Sequence, residues 1–556
     1  MAYLTPANRE EPVDQTFPIL TPAQQARIAA HGHLKQVAAG EALVEADDHG
    51  KKFFVVIKGH LNVLRNSGDT REVAAVVPAG SFTGEVSTLS GRRGLVRIEA
   101  GEASEVIEID REQMLSLVQT DSELSDILIR AFVLRRLELI AREIGDVVLV
   151  GSIHSLGTLR IKEFLTRNYY PYSYIDLDRD AEVQDLMDRF HISPADLPVL
   201  ICRGQSVLRN PDNQEIAGCL GFNEGIDQTH ARDLVIVGAG PAGLAAAVYG
   251  ASEGLDVLVL ESNSPGGQAG SSSKIENYLG FPTGISGQDL AGRAYTQAEK
   301  FGAQLLIAKP AQGLACDRRP YAIEIGEGQR VPARTVVIAT GAQYRKLPLE
   351  NLSQFEGAGV YYGATHLEAQ LCSGQDVIVV GGGNSAGQAA VFLAQTVRRV
   401  YMLVRADGLA RSMSRYLILR IEENPKIELR VQTEIAGLMG SDQLERVQWR
   451  DNRTGKVETR DIGCVFSMTG AVPNSNWLAG CLALDEQGFI KTGPDLSPEE
   501  LSAAGWPLVR APFLLETSLP GVFAVGDVRG GNIKRVASAV GEGSIAVSFV
   551  HQVLAE

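Results

Sequence analysis

Cysteine is scarce in this sequence, and the cysteines that it has are far apart. There are 6 in 556 residues, and the nearest two, Cys202 and Cys219, are separated by 17 positions. A CxxC dithiol, a zinc ribbon and a Cys-pair finger are therefore excluded, because each needs two cysteines within a few residues. The pattern predicts a cytoplasmic protein with reduced thiols. It leaves open whether Cys202 and Cys219 pair.

Positive charge and uninterrupted apolar segments are also in short supply. The 52 Lys and Arg against 67 Asp and Glu give a formal net charge of −15, which argues against a nucleic acid or an anionic membrane as partner. The first residues show no basic region followed by an apolar core, so no signal peptide is predicted. Segments 234–252 and 378–397 are apolar but interrupted by Gly, Pro, Asn or Gln, so no membrane span is predicted. No metal site is predicted either.

Glycine, in contrast, is abundant, with 58 residues, or about 10% where ~7% is usual. The length predicts about three to five domains. Residues 41–110 have the β-rich runs of a strand-and-turn structure, and apolar spacings of three or four from Leu124 to Ile144 predict a long helix. That helix could be a hinge, a dimer seam or a support for its own domain. From 146 to 226 the pattern changes to β-α-β-α-β.

The first of two glycine-rich turns contains Gly238, Gly240 and Gly243, directly after a predicted strand at 234–237. In a dinucleotide-binding turn the first glycine permits the tight bend, the second lets the backbone approach a pyrophosphate, and the third lets helix and strand pack closely. The helix that follows offers free N–H groups and the positive end of its dipole to phosphates. Glu261, at the end of the next strand, can accept a hydrogen bond from a ribose hydroxyl. We therefore predict a dinucleotide site.

The second turn is formed by Gly381, Gly383 and Ala386, again after a strand. The strand that follows ends in Arg405 rather than in an acid, and Arg411 lies nearby. An arginine can pair with the 2′-phosphate of NADPH, whereas an acid prefers the 2′-hydroxyl of NADH. The second turn therefore favours NADPH, with NADH as the alternative. Two dinucleotide units in one chain predict a held flavin and a diffusing nicotinamide that exchange hydride.

Residues 231–556 resemble a thioredoxin-reductase-type flavoprotein along their whole length. The motifs that carry the resemblance are GAGPAG at 238–243, GGQ at 266–268, IENYLGFP at 275–282, VVIATGA at 336–342, GGGNSAG at 381–387, GVFAVGDV at 521–528 and KRVASAVGEG at 534–543. The resemblance implies two Rossmann-like domains in an α/β fold, with an NAD(P)H-binding domain, 346–464, inserted into a FAD-binding domain, 231–345 and 465–556. It also implies FAD, NADPH and a homodimer.

The same resemblance implies which residues bind the cofactors. Asp527 matches the residue that binds the flavin ribityl chain. Lys534 or Arg535 would lie by the pyrimidine edge of the flavin, where positive charge stabilises the anionic reduced form. The implied cofactor-binding residues are Gly238, Gly240, Pro241, Ala242, Gly243, Glu261, Gly267, Gln268, Asn277, Thr340, Gly341, Gly381, Gly383, Asn384, Ser385, Ala386, Arg405, Arg411, Gly526, Asp527, Lys534, Arg535 and Val536.

The sequence departs from this family where the family carries its dithiol. The four positions are occupied by Gly363, Ala364, Thr365 and His366, so both cysteines are missing. A thiol–disulfide relay needs two sulfurs that attack in turn, and Cys372 stands alone six residues further on. His366 takes the place of the sulfur nearest the flavin. It is either a proton donor or acceptor beside the flavin or a space-filling residue.

Residues 146–226 resemble a thioredoxin or glutaredoxin fold. The run DLPVLI contains Pro198, which matches the family's cis-proline turn. The redox loop should follow the first strand, but Ser152 and Ser155 stand there without a cysteine. This second dithiol is therefore also missing, and the domain is expected to dock a partner or to hold the other domains together.

Residues 1–145 resemble a β-roll cyclic-nucleotide-binding domain with a long C-terminal helix. Glu85 matches the residue that holds the ribose 2′-hydroxyl. The resemblance places an arginine and a Ser or Thr on the cyclic phosphate, but Gly94 and Leu95 occupy those positions. Arg92 and Arg93 lie just upstream and could substitute only if the loop shifts. We expect a retained fold with lost or altered ligand binding, so a cyclic nucleotide is doubtful.

Two functions remain open at this stage. One is an NAD(P)H-dependent FAD oxidoreductase that passes electrons to an external acceptor, such as a quinone, a small oxidant, an iron–sulfur carrier or a protein disulfide. The other is a flavin- or nucleotide-dependent sensor with little turnover. Ferredoxin–NADP reductases of this fold also lack the dithiol, but the C-terminal HQVLAE has no aromatic ring to shield the flavin.

Overall fold

The computed structural model describes residues 15–45, 52–67, 70–84, 86–94, 96–142, 146–152, 155–177, 187, 190, 192–193, 196–202, 206–223, 225–326, 328–478 and 480–556. The chain forms two compact units, Met1–Ile226 with Thr296–Lys309, and Asp227–Tyr295 with Pro310–Glu556. None of the helices within those ranges is long and apolar enough to cross a membrane.

In the first part of the N-terminal unit, the described residues form two small antiparallel sheets and four helices. The elements are α1 (Pro22–Ala29), β1 (His33–Val37), β2 (Ala42–Val44), β3 (Lys52–Lys58), β4 (His60–Ser67), β5 (Thr70–Pro78), α2 (Val86–Ser90), β6 (Arg97–Ala100), β7 (Ser104–Asp110), α3 (Arg111–Thr120) and α4 (Ser122–Ala141). The strand orders are β1-β7-β3 and β2-β6-β4-β5. The predicted long helix is confirmed as α4, which starts where Asp121 accepts a hydrogen bond from the Leu124 N–H. Its buried side packs on its own domain.

The second part of this unit is a four-stranded sheet with helices. Its elements are β8 (Val147–Gly151), α5 (Leu156–Arg167), β9 (Ser173–Asp176), β10 (Val199–Cys202), β11 (Ser206–Arg209) and α6 (Asn213–Leu220). The order is β11-β10-β8-β9, with β8 and β9 parallel. The Leu197–Pro198 peptide is cis, as the resemblance implied. The second helix of the predicted β-α-β-α-β pattern corresponds to 183–192, and most of that range lies outside the described residues.

The first half of the larger unit's nucleotide fold is a mixed sheet. Its elements are β12 (Arg232–Val237), α7 (Pro241–Ser252), β13 (Val257–Leu260), α8 (Gly267–Gly270), β15 (Gly313–Ala315), β16 (Tyr321–Glu324), β17 (Arg330–Ile338) and β18 (Ala342–Gln343), while α9 (Gly287–Lys300) and β14 (Gln304–Leu306) fall between β13 and β15 in the chain. Within this unit the strands run β13-β12-β17-β16-β15, and β28 (Val522–Ala524) pairs with β17. Strands β12, β13, β17 and β28 are parallel neighbours.

A second parallel sheet follows in the chain before β28. Its elements are α10 (Leu352–Phe355), β19 (Val360–Tyr361), α11 (His366–Leu371), β20 (Asp376–Val380), α12 (Asn384–Leu393), β21 (Arg399–Val404), α13 (Arg415–Glu423), β22 (Ile427–Val431), β23 (Thr433–Gly440), β24 (Leu444–Asp451), β25 (Val457–Arg460) and β26 (Cys464–Ser467). The order is β19-β26-β20-β21-β22, with β23-β24-β25 as a separate antiparallel sheet. The chain then continues through β27 (Val472–Pro473), α14 (Pro498–Ala503), β28 and α15 (Val536–Ala555). The predicted α/β fold with two Rossmann-like sheets is confirmed.

The six cysteines form three pairs, which corrects the expectation of reduced thiols. The pairs are Cys202–Cys219, Cys316–Cys481 and Cys372–Cys464. Their partners come from different elements of the fold, and sequence spacing alone does not reveal such pairs. Cys372, which looked solitary in the sequence, is fully buried in the core of the second parallel sheet beside Cys464.

Candidate functional site

The predicted site residues of the first turn meet at one edge of the mixed sheet. Strands β12, β13 and β17 end at Val237, Leu260 and Ile338, so Gly238, Glu261 and Ala339 follow them at the same edge. In open α/β sheets, ligands bind in the crevice outside the carboxyl ends of parallel strands. The topology therefore brings together motifs that are about a hundred positions apart in the chain.

The glycines of the first turn are required by close backbone contacts. Gly238 has φ +104°, and a Cβ there would lie 2.4 Å from the carbonyl oxygen of Ala339. A Cβ on Gly243 would lie 1.8 Å from the carbonyl oxygen of Gly238. Gly240 is the N-cap of α7 and Pro241 its first residue. Gly267 approaches Gly240, so that a Cβ on Gly267 would lie 3.1 Å from the Gly240 Cα.

Glu261 closes this turn with a buried carboxylate. Its side chain accepts hydrogen bonds from the backbone N–H of Ala239, at 2.7 Å, and of Asn263, at 2.8 Å. The residue is 7% exposed. Besides the ribose contact implied by the resemblance, Glu261 therefore stabilises the backbone of the turn itself.

Thr340 and Gly341, which follow β17, are hydrogen-bonded to Asn474, which follows β27. The Thr340 hydroxyl donates to the carbonyl of Asn474, at 2.7 Å, and the Asn474 side chain donates back to the Thr340 carbonyl, at 2.9 Å. The Asn474 N–H donates to the Gly341 carbonyl, at 3.0 Å, and Gln268 donates to the carbonyl of Ala342. Sequence reasoning missed Asn474, because no motif contains it.

Asp527 lies in a short 3-10 helix, Gly526–Val528, that follows β28. Burial raises the pKa of its carboxyl, the charge of Lys534 lowers that pKa, and Glu542 raises it. Within the described ranges no donor hydrogen-bonds to this carboxylate. Glu542 instead accepts from the Gly526 N–H, at 2.7 Å, and pairs with Arg529, at 2.6 Å. A partly buried carboxylate with no described donor is able to accept a hydrogen bond from a ligand hydroxyl.

The segment after Asp527 contains a residue that sequence reasoning missed. Both polar atoms of the Asn532 side chain are shielded from solvent and have no hydrogen-bond partner in the described part of the chain. Lys534 and Arg535 are exposed, and Val536 is the first residue of α15. Asn277, one of the implied cofactor-binding residues, is also exposed.

The second turn has the same architecture but fewer close contacts. Gly381 has φ +142°, and a Cβ there would lie 2.5 Å from the carbonyl oxygen of Met468. Gly383 is the N-cap of α12 and has open space around it. Ala386 is fully buried. The Asn384 side chain accepts a hydrogen bond from the Ser414 N–H, at 2.7 Å, which fixes the segment that carries Arg411.

Arg405 follows β21 at the same sheet edge as Gly381, and Arg411 lies beyond it. Both are exposed, and neither forms an ion pair with a residue that the structure describes. Two unpaired guanidinium groups beside a glycine turn suit an added phosphate.

Two contacts join the surroundings of the two turns. Tyr344 hydrogen-bonds Ser385 of the second turn and lies close enough to Asp527 for that carboxylate to act on it; burial raises the pKa of the Tyr344 hydroxyl, and the Ser385 bond lowers it. Arg420, on α13, makes a two-point ion pair with Glu276, one position before Asn277. The hydrogen bond to Arg420 lowers the pKa of Glu276.

Residues 232–543 match the family described as pyridine nucleotide-disulphide oxidoreductase, and residues 34–121 match the cyclic nucleotide-binding domain. The chain belongs to the pyridine nucleotide-disulphide oxidoreductase family. It is 31% identical to a thioredoxin reductase of Ureaplasma parvum over 58% of this chain and 96% of that one. It is 32% identical to NADPH-dependent thioredoxin reductase 3 of Arabidopsis thaliana over 56% of each chain, so it spans about half of that relative.

Solved structures agree with this assignment. The thioredoxin reductase of Lactococcus lactis in its FR conformation has a TM-score of 0.52 with 28% identity, and covers 58% of this chain and 99% of its own. The T. acidophilum thioredoxin reductase also has a TM-score of 0.52 with 28% identity, over 59% of this chain and 99% of its own. As a member of this family, the chain is an NAD(P)H-dependent FAD oxidoreductase.

This oxidoreductase differs most clearly from the thioredoxin-reductase pattern around α11, where the dithiol cysteines are missing. Gly363 to Thr365 precede that helix, and the Thr365 N–H donates to Glu368, at 2.9 Å. The backbone of His366 begins α11, but its side chain lies outside the described residues, so its role stays a prediction. Cys372 does not replace the missing dithiol, because it is paired with Cys464 in the core.

The N-terminal unit of the oxidoreductase has no sulfur at its other predicted redox position. Ser155 caps α5, and Pro198 packs instead against Gly157, where a Cβ would lie 2.8 Å from its ring. Glu85 and Leu95 lie outside the described residues. Cys202 and Cys219 pair with each other between β10 and α6.

Proposed function

We propose that this chain oxidises NADPH and delivers the electrons through FAD to an acceptor outside the chain, without an internal dithiol at 363–366. The observation that carries the proposal is that no cysteine stands at those positions, while the nearest one, Cys372, is buried in a pair with Cys464. A relay of two attacking sulfurs therefore has no members there.

The two sites fit their nucleotides on geometric grounds. Gly238 and Gly243 leave no room for side chains between β12 and α7, which is the approach that a diphosphate requires. The partly buried carboxylate of Asp527 and the shielded amide of Asn532 would hold polar groups of FAD. Arg405 and Arg411 would hold the 2′-phosphate of NADPH. When bound, the nicotinamide and the flavin supply the hydride chemistry.

The remaining residues orient the cofactors and control charge. Lys534 or Arg535 would offset negative charge at the flavin. Tyr344 and the Glu276–Arg420 pair keep the second turn close to the segment that follows Ile275. The proposal includes a homodimer, which the resemblance implies, and a cytoplasmic location, which the sequence composition predicts.

An anaerobic stopped-flow experiment tests the proposal. We expect flavin bleaching within seconds on mixing with NADPH, slower bleaching with NADH, and reoxidation by a quinone, a small oxidant, an iron–sulfur protein or a disulfide. Thioredoxin alone should be reduced no faster than a buffer control. Thioredoxin turnover at a rate equal to flavin reduction would contradict the proposal.

The same experiment distinguishes this proposal from the alternative function, that of a sensor. That alternative is favoured by the packing of 304–309 with the N-terminal unit. A sensor would show fast bleaching followed by slow reoxidation with every acceptor. His366→Asn adds a test of the proton role, since a changed pH profile of reoxidation with unchanged bleaching supports it, and an unchanged profile leaves His366 as a space filler.

A further inference from the structure

The loop after α2 contains Arg92 and Arg93 and is called the arginine loop. The resemblance places the cyclic phosphate at this loop, but its two arginines contact residues of another domain. After α2, Arg92 places its guanidinium carbon 5.0 Å from the centre of the Phe222 ring. The stem of Arg93 lies against Gly221, where a Cβ would be 2.7 Å from the Arg93 Cδ. Arg92 and Arg93 therefore lie against the C-terminal end of α6, in the thioredoxin-like domain.

Helix α2, which directly precedes this loop, is held in its own domain by three other arginines. Arg135 of α4 donates to the carbonyl of Gly84, at 2.8 Å, Arg136 reaches the hydroxyl of Ser87, at 3.3 Å, and Arg111 of α3 donates to the carbonyl of Leu89, at 2.8 Å. Arg135 is only 8% exposed. The position of α2 and its loop is therefore tied to the long helix α4.

Phe222, the ring that Arg92 contacts, is held in place by its surroundings. Gly221 ends α6 in the left-handed conformation, with φ +65°. Phe222 is 3% exposed and packs against Phe164 and Tyr170, with ring centres 6.1 and 5.5 Å away. A displacement of the arginine loop therefore acts on the core of the thioredoxin-like domain, because close-packed interiors transmit strain.

The next residue contacts a segment from the sequence of the FAD-binding domain. The Asn223 side chain donates to the Ile307 carbonyl, at 2.8 Å, and accepts from the Ile307 N–H, at 2.7 Å. Ile307 is fully buried in the core cluster that also contains Phe222. Residues 296–309 belong to the same compact unit as the N-terminal domains. Gly221, Phe222 and Asn223 therefore touch the arginine loop on one side and this segment on the other.

We propose that this tripeptide, 221–223, couples the arginine loop of the cyclic-nucleotide-binding-like domain to residues 304–309, and that Arg92 and Arg93 serve as its docking contact instead of a phosphate site. The thioredoxin-like domain then acts as a connector, which accounts for its loss of a dithiol. An anion that drew the arginines toward α2 would have to break the contact with Phe222, so ligand binding and docking exclude each other.

Amide hydrogen exchange in the full-length chain tests the coupling at the Ile307 N–H. Arg92→Ala and Phe222→Leu should each raise its exchange about two- to five-fold, the range expected for loss of a cation–π contact. Arg92→Lys, which keeps the charge but not the planar group, should give a smaller rise. Arg130→Ala is the matched control, because Arg130 is exposed on α4 and its one ion pair among the described residues is with Asp126, and it should leave the Ile307 exchange unchanged.

Unchanged exchange in both Arg92→Ala and Phe222→Leu would overturn the proposal, provided that Asn223→Ala raises it and so shows that the probe responds. If Phe222→Leu lowers the Tm, Arg92→Ala alone decides the matter. Calorimetric titration of the wild type with cyclic AMP, cyclic GMP and inorganic phosphate adds a second test. No heat, or heat with faster Ile307 exchange, supports the docking role, whereas heat with unchanged exchange contradicts it.

Discussion

The two glycine-rich turns share a topology but differ in how tightly they are closed. At the first turn the third glycine, Gly243, has no room for a methyl group, and a buried acid, Glu261, binds the backbone of the turn. At the second, Ala386 fills the third position and exposed arginines replace the acid. A closed turn suits a nucleotide that stays bound, and an open, charged one suits a nucleotide that binds and leaves in each cycle.

Exchanging the third residues should give the largest effect. Gly243→Ala places a methyl group 1.8 Å from the Gly238 carbonyl oxygen, which should lower the free energy of unfolding by about 3 kcal/mol and abolish FAD retention. Ala386→Gly should cost only about 1 kcal/mol, the usual helix penalty. Denaturant unfolding and the flavin absorbance of the purified variants measure both. Equal losses would remove the distinction between the turns.

Glu261→Gln tests the acid that closes the first turn. The amide can accept at only one atom, so one of the N–H groups of Ala239 and Asn263 loses its partner. We expect a loss of about 1–3 kcal/mol in stability and weaker FAD binding, measured by thermal unfolding with and without added FAD. Glu324→Gln, in an exposed pair with Arg330 on the same sheet, is the control and should change neither quantity.

Arg405→Ala tests the charge at the second turn. Because Arg405 is exposed and outside any described ion pair, its loss should leave the Tm unchanged. The Kd for NADPH should rise about tenfold, the size of a lost charge-assisted hydrogen bond, while that for NADH should stay the same. Arg398→Ala, which removes an exposed pair with Asp376, should alter neither Kd. A parallel loss of NADH binding would contradict the assignment to the 2′-phosphate.

Asp527→Asn tests the partly buried carboxylate of the first site through the pH dependence of stability. Burial raises the pKa of Asp527 in the folded protein, so the folded state favours the acid form, and its stabilising contribution is lost as pH rises through that raised pKa. The apoprotein variant should therefore be more stable than the wild type at neutral pH, and the difference should shrink toward acid. FAD affinity should fall. A variant less stable at neutral pH would show that the carboxylate is satisfied.

The Glu276–Arg420 pair should give the smallest effect, since Arg420 is half exposed and such pairs contribute little. Glu276→Arg or Arg420→Glu alone should slow flavin bleaching by NADPH about two- to five-fold. The double variant, which restores the pair in reverse, should recover most of the rate. Additive losses in the double variant would show that the two residues act separately.

The turn residues could be predicted from the sequence because their requirement is local. A tight bend between a strand and a helix needs glycine at Gly238 and Gly243 whatever surrounds it. Asn474 and Tyr344 could not be predicted, because their partners are brought together only by the return of the chain to the mixed sheet. Helix α6 was missed although Asp212 and Glu215 form a capping box that marks its start.

In the N-terminal half, the fold could be predicted in part, but the contacts between its domains could not. The cyclic-nucleotide-binding fold was predicted from short motifs and is confirmed, yet the contact of Arg92 with Phe222 could not be predicted from them. A motif gives the position of a residue in the sequence, whereas the contact with Phe222 depends on a segment that is distant in the sequence. The cysteine positions were also only partly informative. They exclude a dithiol motif, but they do not reveal the three observed pairs, because the paired positions share no local signal in the sequence.

The Cys316–Cys481 pair has a consequence for how the chain can be taken apart. Its members are 165 positions apart, one before and one after the whole second parallel sheet, and β18 pairs with β27 at the base of that insertion. A protease cut anywhere within the insertion would therefore yield fragments that separate only after reduction. The disulfide therefore keeps the segments before and after the second parallel sheet covalently joined even when the sheet between them is cut.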